Sequence, residues 1–144
     1  MDTSSRFSLV STFDVLVPEG FTLDTVALPG RKFTVKIFEV KKQTLWIACI
    51  EFLRSQKAVF IGAQGADLIC KQGGDHIPIE REILSFDNKH LLIDAREDLF
   101  VASVARYDLG DKVSDPRSCP IKFPAPVFGI RESGIWCSAC FCDI

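Results

Sequence analysis

Between Thr44 and Gly65 the chain reads TLWIACIEFLRSQKAVFIGAQG: ten largely apolar residues, four polar ones, then a second apolar run. This stretch is long enough to cross a core twice, and every other segment is less hydrophobic. Two local structures satisfy it. As strands, Leu45 to Leu53 and Ala58 to Gly62 form a hairpin closed by Arg54, Ser55, Gln56 and Lys57. Both faces of the first strand are then apolar, as a strand covered on both sides requires. As a helix, Thr44 caps the start, and Leu45, Trp46, Cys49, Ile50 and Leu53 fall on one stripe. Periodicity does not separate the two for a short apolar run. The Trp, Ile and Phe content favours strands, so the hairpin is the expectation and the helix the alternative.

Upstream, Phe7, Leu9, Phe13, Val15 and Val17 alternate with polar residues, the pattern of a half-buried strand, although Val10 and Leu16 break its polar face. Pro18-Glu19-Gly20 ends it. Phe21 to Leu28 reads as a weaker strand closed by Pro29-Gly30. Phe33, Val35 and Ile37 alternate with Thr34 and Lys36, and the phase then switches at Phe38 and Val40, which suggests a bulge or a twist into another layer.

Downstream, Ala63 to Cys70 is a short helix or a further strand. Ile77 to Phe86 is strand-like, and Asp87-Asn88-Lys89 reads as a hairpin loop between Leu84–Phe86 and Leu91–Ile93. Leu99 to Tyr107 is a closing strand, or part of a helix at about 96–106. Four prolines, Pro116, Pro120, Pro124 and Pro126, make 111–126 read as an irregular arm. The fold class expected is mainly β: a single-domain antiparallel sandwich or barrel over 1–110, with a proline-rich arm and cysteine-containing tail over 111–144 packed on it. The alternative is α+β, with a helix at about 44–55 or 96–106.

At 144 residues the chain buries about two-thirds of its unfolded surface and needs no staple. A formal charge of −2 carries no basic stripe, which argues against nucleic acid as a partner. No run reaches the roughly eighteen apolar residues of a membrane span. Met1-Asp2-Thr3-Ser4-Ser5 lacks the basic start of a secretory leader. A cytoplasmic protein is expected, its six cysteines held mostly as thiols.

The chemically suggestive cluster is Cys137-Ser138-Ala139-Cys140-Phe141-Cys142. Two or three sulfurs at this spacing could converge on a soft metal or on each other. Trp136 to Cys140 resembles the WCxxC dithiol of thioredoxins, a resemblance that implies a redox-active pair. In that family the first cysteine caps a helix, and only four residues follow Cys140 here. The C-x-x-C-x-C spacing is similar to the cysteine claw of nitrile hydratase α-subunits, with Phe141 where that family has serine. Zinc on Cys137, Cys140 and Cys142 would need a fourth ligand such as Cys119, His76 or His90, because the second CxxC of a two-knuckle site is absent. The plainer reading is that these are small apolar residues packing a tail.

Elsewhere the candidates are weak. His76 and His90 read as exposed loop residues. Glu80 and Glu82 share a strand face that reads as solvated, with Arg81 between them. Gly62-Ala63-Gln64-Gly65 lacks the Lys-Ser/Thr of a phosphate loop and reads as a turn. No catalytic motif is present. The expected function is therefore that of a non-enzymatic domain binding another protein or a second copy of itself. Its means would be apolar surface and the C-terminal arm, with Trp136 and Phe141 as anchors. The rival is a metal or thiol-redox protein using the terminal cysteines.

Overall fold

The computed structural model describes residues 7–19, 28–40, 46–86, 92–93, 99–106, 110, 117–123 and 136–144. Strands β1 (Phe7–Leu16) and β2 (Lys32–Val40) come first, followed by helices α1 (Trp46–Ser55) and α2 (Gly62–Gln72). A short 3-10 turn at Gly74–His76 leads into β3 (Glu82–Ser85), β4 (Leu92–Ile93), β5 (Leu99–Ala105), β6 (Arg117–Phe123) and β7 (Trp136–Asp143).

The strands form one open, mixed sheet in which the chain runs β1-β2-β7-β3-β5. Strand β6 pairs along the whole of β5, from Leu99↔Phe123 to Ala105↔Arg117. The other side of β5 is shared by β3, opposite Ala102 to Ala105, and β4, opposite Leu99 and Phe100. Only β3 and β7 run parallel; every other pair is antiparallel. The mainly β class is what the structure has. The expected closure into a sandwich or barrel is not what the described strands form, because the sheet stays open and helices supply its covering layers.

The central apolar stretch is helical, which overturns the hairpin expectation. Cys49, Ile50 and Leu53 are buried, while Glu51 and Arg54 face solvent, so the 3.6-residue stripe outweighed the strand propensity of Trp, Ile and Phe. The chain turns at Lys57, whose φ of 60° is left-handed, with Ala58 N–H bonded to the Leu53 carbonyl. Val59 then makes a single bridge to Phe141 before α2 begins. Gly62-Ala63-Gln64-Gly65 is the first turn of α2 rather than a separate turn.

The two helices cover opposite faces of the sheet. On one face α2 contributes Ala66, Leu68 and Ile69 to a core with Phe13, Val15, Phe33, Val35, Ile37, Ile83, Ala102, Val104, Cys137, Ala139 and Phe141. On the other α1 contributes Cys49, Ile50 and Leu53 to a core with Phe7, Phe38, Val40, Leu84, Phe86 and Cys140. Phe52 fixes that side, stacked on Phe7 at 4.0 Å and edge-on to Phe38 at 5.0 Å. The phase switch in β2 is thus no bulge in β2, since its pairing with β7 is regular from Phe33 to Val40 and Phe38 and Val40 are buried against α1. The irregularity lies in β1, between Leu9 and Ser11. The extra residue, Val10, moves Phe7 and Leu9 to the α1 face and Phe13 and Val15 to the α2 face.

Three further expectations change. Leu84–Phe86 and Leu91–Ile93 do not form a hairpin with each other, because β3 and β4 lie end to end along β5; 87–91 lie outside the described residues. The arm is regular over β6, where Pro120 stands opposite Ala102. A proline fits there because β6 has β5 as its sole strand partner among the described residues, as an edge strand does. The tail is no surface tail, since β7 lies between β2 and β3 inside the sheet. The weak strand expected at 21–28 lies outside the described residues up to Leu28.

Candidate functional site

Alternation along β7 decides what its cysteines can do. Odd-numbered side chains join the α2 core and even-numbered ones the α1 face. A C-x-x-C spacing spans three positions and so points its two sulfurs to opposite faces of a strand. Cys137 accordingly lies with Ile83 and Phe141 under α2, whereas Cys140 and Cys142 lie on the α1 face. The three sulfurs expected to converge on zinc are split by the sheet itself. Among the described residues no three of His, Cys, Asp and Glu stand together as a metal site.

The thioredoxin-like reading fails on the same ground, because Trp136 to Cys140 is strand and Cys137 caps no helix. Burial pushes the Cys137 thiol up to about 12, reinforced by the Glu39 carboxylate and opposed by Arg81. Burial likewise pushes Cys49 up to about 12. The Ser138 hydroxyl lies near enough to favour the Cys49 thiolate, yet makes no hydrogen bond of good geometry, so we read the contact as loose. Burial also raises Cys140 to about 12; a charge on Cys142 and the hydrogen bond with it add to the rise, while Lys36 opposes it. Activated thiols have the opposite shift.

What remains on the α1 face is a close pair. Cys140 Sγ lies 3.6 Å from Cys142 Sγ, and Cys142 Sγ lies 3.6 Å from the Gln56 carbonyl oxygen, to which its thiol donates. Cys140 is fully buried and Cys142 half-buried.

Phe141, expected to anchor a partner, is 2% exposed and is a core residue. It meets Phe33 edge-on at 6.2 Å and carries α2 directly above it. Trp136 opens β7, and its side chain lies outside the described residues, as do those of Cys119 and the whole of His90. His76 is an exposed turn residue stacked on Phe13 at 5.4 Å. Glu80 is not on a strand at all. It turns the chain before β3 with φ of 61°, its N–H bonded to the Arg106 carbonyl, so it shares no strand face with Glu82.

No family model, curated protein or solved structure matches the chain.

The geometry alone then has to nominate a working surface, and exposed apolar side chains do so. The large exposed hydrophobic residues among those described are Leu9, Val10, Leu16, Leu28, Ile79 and Ile144. All but Ile79 belong to the β1–β2 hairpin or directly follow β7. Leu28 is 72% exposed, Ile144 72% and Leu9 55%. An open pocket of about 430 Å³ lies at the loop end of the hairpin, lined by Asp14, Val15, Leu16, Lys32, Gln72 and Ile144.

Gln72 is the residue the sequence did not single out. Its side-chain amide brackets Leu16, accepting from Leu16 N–H at 2.9 Å and donating to the Leu16 carbonyl at 2.6 Å. It thereby occupies the backbone of β1 as a neighbouring strand would. With the Val10 bulge at the other end, both ends of the strand are blocked against simple strand addition. The hint available in the sequence was the break in the polar face at Val10 and Leu16, which are the residues left exposed.

Proposed function

We propose that this protein is a non-enzymatic assembly domain that meets a second copy of itself through the exposed apolar end of the β1–β2 hairpin. One observation carries this reading: Leu16, Leu28 and Ile144, three of the six large exposed hydrophobic side chains among the described residues, gather at the loop end of the hairpin, while α1 and α2 cover the two faces of the sheet. Scattered single apolar residues need no explanation, but a gathered set beside a shallow pocket marks an interaction surface. Asp14 and Lys32 flank that pocket. A two-fold contact can set the Lys32 of each copy against the Asp14 of the other, the self-complementarity an isologous interface requires. The contact is made by side chains rather than by an added strand, because Gln72 and the Val10 bulge obstruct β1. Of the C-terminal segment this reading uses Ile144 alone, since Phe141 is spent on the core.

Light scattering on the purified chain tests it. The expected result is a mass at a multiple of the 16.0 kDa chain, falling to a single chain in Leu16→Lys and in Leu28→Lys. A monomer at every concentration, or an oligomer indifferent to both substitutions, would contradict it.

A further inference from the structure

We propose that Cys140 and Cys142 are a dithiol that closes reversibly to a disulfide, and that closure loosens the turn between α1 and α2 from β7. The first support is placement. Residues two apart on a strand share a face. Here the sulfurs stand 3.6 Å apart, in contact but unbonded. A sulfur–sulfur bond is about 2.05 Å long, so the pair has to close by only about 1.5 Å. The second support is what the pair holds. The Cys142 thiol donates to the Gln56 carbonyl at 3.6 Å. Phe141, the residue between the two cysteines, accepts at its carbonyl from Val59 N–H at 2.7 Å. These two bonds tie the turn after α1 to β7, where Val59 and Phe141 form an isolated bridge. The proton that oxidation removes from Cys142 is the one Gln56 accepts. Closure also acts on the backbone. Along an extended strand, Cα atoms two residues apart are about 6.6 Å distant, at the upper end of what a disulfide spans. Drawing them together bends β7 at Phe141, where Val59 is bonded. A disulfide closed against its strand is readily reduced again, which makes this one a switch rather than a staple.

The oxidant is a small disulfide of the glutathione class. Cys142 is half-buried and is met first. It loses its proton to solvent and attacks one sulfur of the oxidant. A bond forms to Cys142 Sγ, and the displaced thiolate leaves and takes up a proton. Cys140 then gives up its proton and attacks Cys142 Sγ, displacing the second thiolate. The chain has lost two hydrogens and two electrons, and one small disulfide has become two thiols. Lys36, opposite Cys140 across the β2–β7 pair, favours the Cys140 thiolate in the second step. Burial opposes it, but by then Cys142 carries no charge to add to that opposition. The exchange is therefore slow, on the scale of uncatalysed disulfide rearrangement. Cys49 lies on the same face of the sheet and is the competing partner for Cys140, whereas Cys137 lies on the other face.

The test equilibrates the full chain in glutathione buffers of stepped ratio, alkylates free thiols in denaturant and locates the bridge by tandem mass spectrometry. The expected product is lighter by two hydrogens, bridged between Cys140 and Cys142, with Cys49 and Cys137 alkylated, and it reverts in excess reduced glutathione. Hydrogen exchange at Val59 N–H should rise by roughly 5-fold in the bridged form, the worth of one lost hydrogen bond. In Cys142→Ser, whose hydroxyl can still donate to Gln56, Val59 exchange should not respond to the oxidant. Cys140→Ala should stop at a mixed disulfide on Cys142. A mixed disulfide as the end point in the unaltered chain, a bridge from Cys140 to Cys49 or Cys137, or Val59 exchange unchanged by the bridge would overturn the proposal.

Discussion

Burial holds the thiols of Cys49, Cys137 and Cys140 near 12 against an ordinary 9.0, so above pH 9 the folded chain keeps protons that the unfolded chain has released. Stability changes with pH in proportion to the protons bound by the unfolded state minus those bound by the folded state. That difference is zero below pH 9 and negative between 9 and 12. Stability is therefore flat with respect to these groups at neutral pH and falls as pH rises. Each thiol contributes a loss of at most about 1.4 kcal/mol per pH unit. Urea melts at pH 8, 9.5 and 10.5 are expected to show a midpoint that drops between the last two, and the drop should shrink in Cys49→Ala. A midpoint unchanged up to pH 10.5 would mean that these thiols ionise in the folded chain, as exposed ones do.

Element packing turns on how closely α2 lies on β7. A Cβ placed on Gly65 would come within 2.5 Å of Phe141 Cζ and 2.8 Å of Ser85 Oγ, while the Ser85 hydroxyl donates to the Gly62 carbonyl at 2.7 Å. The helix can rest on the ring only because position 65 has no side chain. Gly65→Ala gains up to about 1 kcal/mol of helix propensity. It also forces the helix off the ring, at a cost of about 1–3 kcal/mol. Net destabilisation of up to about 2 kcal/mol is expected in chemical denaturation; a variant more stable than the original would mean that α2 does not sit there. This contact also explains which parts of the fold were legible in the sequence. β1 and β2 could be read from alternation, whereas Leu99 to Tyr107 shows none and reads equally as strand or helix. The α1 stripe was visible, but it competed with strand-forming residue types and was ranked second. The place of β7 could not be read, because a strand buried on both faces shows no polar alternation. Cys137-Ser138-Ala139-Cys140 is small and apolar on either side, as a surface tail or a central strand would be. The bulge at Val10 left a trace in the broken pattern of β1, but its consequence, Leu9 turned to the α1 face and left 55% exposed, needed the pairing register to be seen.

Taken whole, the molecule is an open mixed sheet with a helix on each face, and its last strand is a central one. Among the described residues no helix is long and apolar enough to cross a membrane. The late position of β7 has a folding consequence. β2 and β3 can join one sheet only once residues 136–143 have inserted between them, so the two halves of the sheet close around β7. The division of the thiols between faces and the buried place of Phe141 both depend on that insertion. It also sets the apolar end of the hairpin beside Ile144. Hydrogen–deuterium exchange of the β7 amides tests it most directly. Cys137 to Phe141 should exchange among the slowest in the chain, because β2 pairs with all five, β3 with Cys137 and Ser138, and buried strand amides of this kind open only by global unfolding. Exchange of these five amides at the rate of exposed loop residues would contradict the central placement of β7, and the site assignments would fall with it.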